Sequence, residues 1–158
     1  MVTVTDVSIR DCIDSDLPIF FEHQLDEVAN SMIGSVPRDR ENFIAHWQAH
    51  AKKPSVVQQT IVADQAVAGN IVSFEMAEHR EVGYWLGKGF WGKGIATRAL
   101  RLFLEKYPQR PLHAHAAKHN LGSIRVLEKH GFQIVGEDIR AAASSGLPTE
   151  DFVFLLEI

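Results

Sequence analysis

Apolar and polar residues along this chain fall into two kinds of stretch. Val4 to Arg10, Ser55 to Ala63, Ala66 to Glu75 and Arg80 to Leu86 read as strands, as do Leu112 to Ala116, Gln133 to Ala142 and Asp151 to Glu157. Asp64-Gln65 joins the second and third as a hairpin. Other stretches carry helical spacing. Asp14 or Ser15 caps a helix running to about Gln24, with Pro18 tolerable only in its first turn. Leu25 to Met32 predicts a second short helix, closed by Gly34 and Pro37. From Asp39, the residues Phe43, Ile44 and Trp47 mark one apolar face of a helix that stops before Pro54. Ile95, Leu100, Phe103 and Leu104 predict a helix from Ile95 to Lys106, and another runs from Leu121 to His130. Gly146 and Pro148 fall in the last connection. The order is that of an α/β (mixed α+β) domain: a mixed sheet of six to seven strands flanked by about four helices.

Composition narrows the function classes. At 158 residues, 46% of them apolar, the chain reads as a single domain over 1–158, with neither linkers nor repeats. A net charge of −4 carries no electrostatic footprint for nucleic acid or an anionic membrane. Cys12 is the lone cysteine, which excludes an internal disulfide framework and suits a reducing compartment. With no apolar run long enough to span a bilayer and no basic-then-apolar leader, a cytoplasmic protein is the expectation.

The stretch Gly83 to Thr97 is where chemistry becomes legible. A strand ends at Leu86, four glycines follow (Gly87, Gly89, Gly92, Gly94), and a helix begins at Ile95. Glycines let backbone N–H groups approach a ligand, and a helix start adds unpaired donors and partial positive charge. That is a phosphate cradle. Gly87-x-Gly89-x-x-Gly92 fits a dinucleotide fingerprint, but that reading needs an acid about 20 residues on, and no Asp or Glu lies between Lys106 and Leu127. Gly87-x-x-x-x-Gly92-Lys93 approaches a Walker A loop, yet Gly94 stands where Ser or Thr must hold magnesium. Neither context is complete.

Gly92-x-Gly94-x-Ala96 at a strand-to-helix junction instead resembles the acyl-CoA pyrophosphate loop of the GNAT acetyltransferases. Glu81 to Gly87 and Phe90 to Thr97 are similar to the branch holding the ribosomal-protein N-terminal acetyltransferases (RimJ/RimL-like). A second block, Asn120 to Phe132, resembles that family's N-x-x-S … L-E-K-x-G-F segment. The resemblance implies a GNAT fold, acetyl-CoA as cosubstrate and no metal. It also implies an amine acceptor, either a protein N-terminus or a small molecule. A homodimer stays open. By the same resemblance, backbone at Trp85 and Leu86 pairs with the pantetheine arm. Trp91, Gly92, Lys93, Gly94, Ile95, Ala96 and Thr97 hold the pyrophosphate, and Asn120 and Ser123 reach the CoA arm. Asn120 is also an ordinary helix N-cap.

Direct attack of an amine on the thioester needs a base for the amine and a proton for the leaving thiolate. Glu81, at the start of the strand beside the thioester, is the favoured base; Glu75 and His115 are alternatives. Strand alternation puts Glu81, Gly83 and Trp85 on one face and Val82, Tyr84 and Leu86 on the other. Many GNAT enzymes carry a Tyr five residues before the Phe of the G-F pair, where this chain has Leu127. That departure leaves Ser123, Tyr84 or water as the acid. His113-x-His115 with His119 nearby lacks a Cys or Asp at ligand spacing and reads as strand packing rather than a metal site. A non-catalytic acyl-CoA binder is the alternative function.

Overall fold

The computed structural model describes residues 3–26, 39–141 and 148–158. Seven strands form one mixed sheet: β1 (Val7–Asp11), β2 (Val57–Ala63), β3 (Ala66–Met76), β4 (His79–Leu86), β5 (Leu112–Ala117), β6 (Gln133–Ala141) and β7 (Pro148–Leu156). Their order is β1-β2-β3-β4-β5-β7-β6. Neighbours are antiparallel except β4 and β5, which are parallel. Four α-helices accompany it among the described residues: α1 (Leu17–Gln24), α2 (Arg40–Ala51), α3 (Ile95–Lys106) and α4 (Leu121–Lys129). No helix among the described residues is long and apolar enough to cross a membrane.

A parallel neighbour requires a crossover, and α3 supplies it between β4 and β5. Its buried residues Ile95, Ala99, Leu100 and Phe103 form one stripe. The helix closes where Tyr107 N–H donates to the Phe103 carbonyl at 2.8 Å, just before Pro108. That stripe packs with Ile61, Ile71, Val82, Leu112, Leu127 and Phe154 into the main core. Each such side chain contributes about 1.5–3 kcal/mol on burial. A smaller core of Leu17, Phe20 and Phe43, with Trp47 and Phe21 against it, ties α1 to α2. Alternation separates the two cores: Ile61 faces α3, while Thr60 donates to Asp16 at the start of α1 at 2.7 Å.

Two expectations change at the edges. Neither Asp14 nor Ser15 caps α1. A single 3₁₀ turn (Asp14–Asp16) leads in, and the buried Asp16 orders it, accepting from Arg10 (2.8 and 2.9 Å), from Ile13 N–H (3.0 Å) and from Thr60. Arg10 is brought there by the strand alternation of β1, which no local cap rule sees. Of the short helix expected at Leu25 to Met32, residues 27–32 lie outside the described residues, and Leu25 itself is a turn residue. The hairpin at Asp64-Gln65 is present, with positive φ of 47° and 71° that match a tight two-residue turn.

The sheet opens at its middle. β3 pairs with β4 along all of His79 to Leu86, and β5 pairs with β7 over six residues. Between β4 and β5, the one paired position is Glu81 with His113. Beyond it the strands part, leaving the edge of Val82 to Leu86 without a β5 partner. Both carboxyl ends point into that opening, followed by the starts of α3 and α4. Crevices of this kind are where open α/β sheets bind ligands.

Candidate functional site

The glycine loop shapes one end of the opening. Gly92 and Gly94 both sit at φ 73°, a left-handed conformation that costs a residue with a Cβ but not glycine. A methyl at either would meet no atom of the described residues within 4 Å. The first intrahelical bond of α3 runs from Arg98 N–H to Gly94 carbonyl at 3.2 Å. The amides of Ile95, Ala96 and Thr97 therefore precede the ladder and donate outward, at the positive end of the helix dipole. Trp91 staples the loop instead of offering its amide: its N–H donates to the Lys88 carbonyl (3.1 Å) and its indole to the Leu86 carbonyl (3.0 Å). Lys93 is exposed. Gly87 is packed: a methyl there would lie 2.6 Å from the His23 ring, whose burial holds its pKa below the usual value.

Across the opening, the Tyr84 hydroxyl and Ser123 Oγ are 2.9 Å apart, linking β4 to the first turn of α4. Burial pushes the Tyr84 phenol up to about 12, against the opposing effect of Ser123, so it stays protonated at neutral pH. Asn120 caps α4 by accepting from Ser123 N–H at 3.2 Å. Leu127 is buried in the main core and offers no acid.

Glu81 sits at the point where the strands part, and its side chain is only 4% exposed. His79 Nε2 meets Oε1 at 2.8 Å and His115 Nδ1 meets Oε2 at 3.0 Å. Burial opposes ionisation of this carboxyl, but hydrogen bonds and charge from His115 and His79 outweigh it and hold the pKa below its ordinary value. For His115 the bond to Glu81 raises the pKa against burial, and Asp151 and Asp138 add to the rise. Its Nε2 lies 3.8 Å from Asp138. The His113 ring stacks on His79 at 4.2 Å, and burial, with His79 beside it, lowers its pKa.

Among the expected site residues, the fold gathers Glu81, Trp85, Leu86, Ser123 and Asn120 around the opening, with Gly92 to Thr97 at its end. Glu75 stands apart: its side chain is 65% exposed and lies 3.7 Å from Arg80. No group of three His, Cys, Asp or Glu among the described residues is arranged to hold a metal ion. Sequence reasoning missed His79, although His79-x-Glu81 spacing on a strand puts both on one face and carried the signal. It also missed Asp138, whose approach to His115 depends on the β5-β7-β6 order and leaves no local trace. An open groove of about 420 Å³ between β1 and α3 lies three strands away and takes no part.

Comparison with known proteins bears on the family and the fold. The sequence model of the acetyltransferase (GNAT) domain matches residues 6–133. A probable N-acetyltransferase, YjcK of Bacillus subtilis (strain 168), is 46% identical over 59 residues; the match spans 35% of this chain and 33% of that protein's length. Among solved structures, the apo ribosomal L7/L12 alpha-N-protein acetyltransferase RimL superposes with a TM-score of 0.82 at 19% identity, covering 99% of this chain and 93% of that one. The microcin C7 self-immunity acetyltransferase MccE, solved with acetyl-CoA and AMP, superposes at 0.80 with 15% identity, covering 97% and 93%.

Proposed function

The chain belongs to the GNAT acetyltransferase family, and from that membership we propose that it is an acetyl-CoA-dependent N-acetyltransferase. It moves an acetyl group onto a primary amine, a protein N-terminus or a small-molecule amine, by direct attack in a ternary complex. One observation carries the reading: the opening between β4 and β5 has a glycine loop running into a helix start at one end and a buried, twice hydrogen-bonded carboxylate at the other.

The amides of Gly92 to Thr97 hold the pyrophosphate of the donor, and the Thr97 hydroxyl adds a bond. The free edge of β4 at Trp85 and Leu86 receives the pantetheine arm as an added strand. Asn120, its Oδ1 occupied by the cap, keeps its side-chain NH₂ for that arm. A β4 N–H polarises the thioester carbonyl. The amine nitrogen then forms the new C–N bond, and the C–S bond breaks. Ser123, backed by the protonated Tyr84, supplies the proton for the thiolate. The amine's proton goes to Glu81 and His115 acting as a pair. Alone, Glu81 is too weakly basic; beside His115, whose pKa is raised, the pair works nearer neutrality.

An acyl-CoA sensor has no use for a carboxylate clamped by two imidazoles at the thioester end, so the cluster favours catalysis. Calorimetric titration with CoA, followed by thiol release from acetyl-CoA with small amines and N-terminal peptides, tests the proposal. CoA binding together with thiol release for at least one amine class is the expected result. Binding without transfer to any amine identifies a sensor and overturns the enzyme. No binding overturns the whole reading.

A further inference from the structure

Three glycines in or beside the central strands have different reasons to be glycine. A side chain at Gly69 would overlap the Trp85 carbonyl oxygen, and one at Gly87 would enter the His23 ring. Gly83, in the middle of β4, has neither excuse. Its φ lies outside the left-handed region, and among the described residues a methyl there would find only Val72 Cγ2, at 4.0 Å. Glycine inside a strand weakens it relative to alanine and often marks a place where something else approaches the backbone. Here nothing among the described residues does so.

The position of that vacancy is specific. Gly83 is two residues past the point where β4 and β5 part, on the same face as Glu81 and Trp85. That is the face of α1 and α2, opposite the main core that Val82 and Leu86 enter. Glu81 lies one alternation before it and Trp85 one after. Trp85 carries a buried indole N–H with no hydrogen-bond partner among the described residues. We propose that Gly83 is the floor of the acceptor subsite, where an unhindered primary amine lies against the β4 backbone with its nitrogen toward Glu81. The ligand class follows from the walls. The carboxylate favours a cation, and Val72 and Trp85 leave room for a nitrogen on a small, little-branched carbon. This rests on the functional reading above and deepens it, by giving the acceptor a place and a size limit.

The test compares the unsubstituted protein with Gly83→Ala and Gly83→Val. Glycinamide and its bulkier homologue α-aminoisobutyramide serve as acceptor probes, and acetyl-CoA affinity is measured by calorimetry. The inference expects Gly83→Ala to melt no lower than the unsubstituted protein and to keep its acetyl-CoA affinity. Its kcat/KM for glycinamide falls at least about tenfold, the order that one methylene produces in a fitted pocket. Gly83→Val loses more, and the unsubstituted protein prefers glycinamide to α-aminoisobutyramide. Unchanged kcat/KM in Gly83→Ala overturns the inference. So does an equal loss of acetyl-CoA affinity, which would give the space to the donor's acetyl group, or a large fall in melting temperature, which would make the glycine structural. An unsubstituted protein that binds acetyl-CoA but acetylates no amine defeats the functional reading itself, a distinct result.

Discussion

Replacing Glu81 by Gln removes one charge and almost no volume from a buried carboxylate held by two imidazoles. Two imidazoles meet its oxygens at 2.8 and 3.0 Å, and the side chain is 4% exposed. Gln retains neutral hydrogen bonds, so the loss is the charge-assisted excess, about 1 kcal/mol per bond and about 2 kcal/mol in all. For a domain of this size that lowers Tm by about 4–8 °C. The pH dependence carries the sharper signature. The Glu81 carboxyl has a folded pKa below its ordinary 4.5, so its contribution is fully present above that value and is lost as pH falls through the folded value. His115 has a folded pKa above its ordinary 6.5, so its contribution is fully present below that value and is lost as pH rises through the folded value. The Tm difference between the unsubstituted protein and Glu81→Gln is therefore largest between pH 4.5 and 6.5 and shrinks on both sides. Differential scanning calorimetry across that range measures it. A constant offset from strongly acidic to alkaline pH would refute the charge argument and reduce Glu81 to a packing residue.

Other outcomes follow from the same geometry. Gly94→Ala forces a Cβ into φ 73° at the start of α3, costing about 1–2 kcal/mol, and raises KM for acetyl-CoA while sparing that for the amine. Ser123→Ala leaves the Tyr84 hydroxyl without its 2.9 Å partner; kcat falls about 10²-fold or more, with acetyl-CoA affinity kept if the pair is the acid. Gly87→Ala drives a methyl to 2.6 Å from the His23 ring and costs about 1–3 kcal/mol in chemical denaturation. Adding His23→Ala restores part of that stability, and strict additivity of the two changes would show that the contact is not the cause.

Much of the fold is visible in local pattern. The stripe Ile95, Leu100, Phe103 places α3 at its observed bounds, and Asn120 announces the cap of α4 that it makes. Strand ends moved by one to three residues because pairing, not propensity, decides where a strand stops. Of the site, the cradle was legible because a glycine loop running into a helix is contiguous in sequence. The carboxylate cluster was legible only in part. Glu81 and His115 lie 34 residues apart, and only the parallel pairing of Glu81 with His113 brings their side chains within 3.0 Å.

Periodicity and glycine placement thus settle most of the elements and the glycine loop that opens α3, since both depend on neighbours in the chain. What they leave undecided is everything set by strand order. That Glu81 is buried rather than solvated, that Ser123 faces Tyr84, and that a methyl on Gly83 would meet only Val72 among the described residues all depend on which strands lie beside β4 and where their pairing stops. Hydrogen-bond pairing between distant strands obeys sheet geometry, and no local segment encodes which strand its edge will meet or where that pairing will stop.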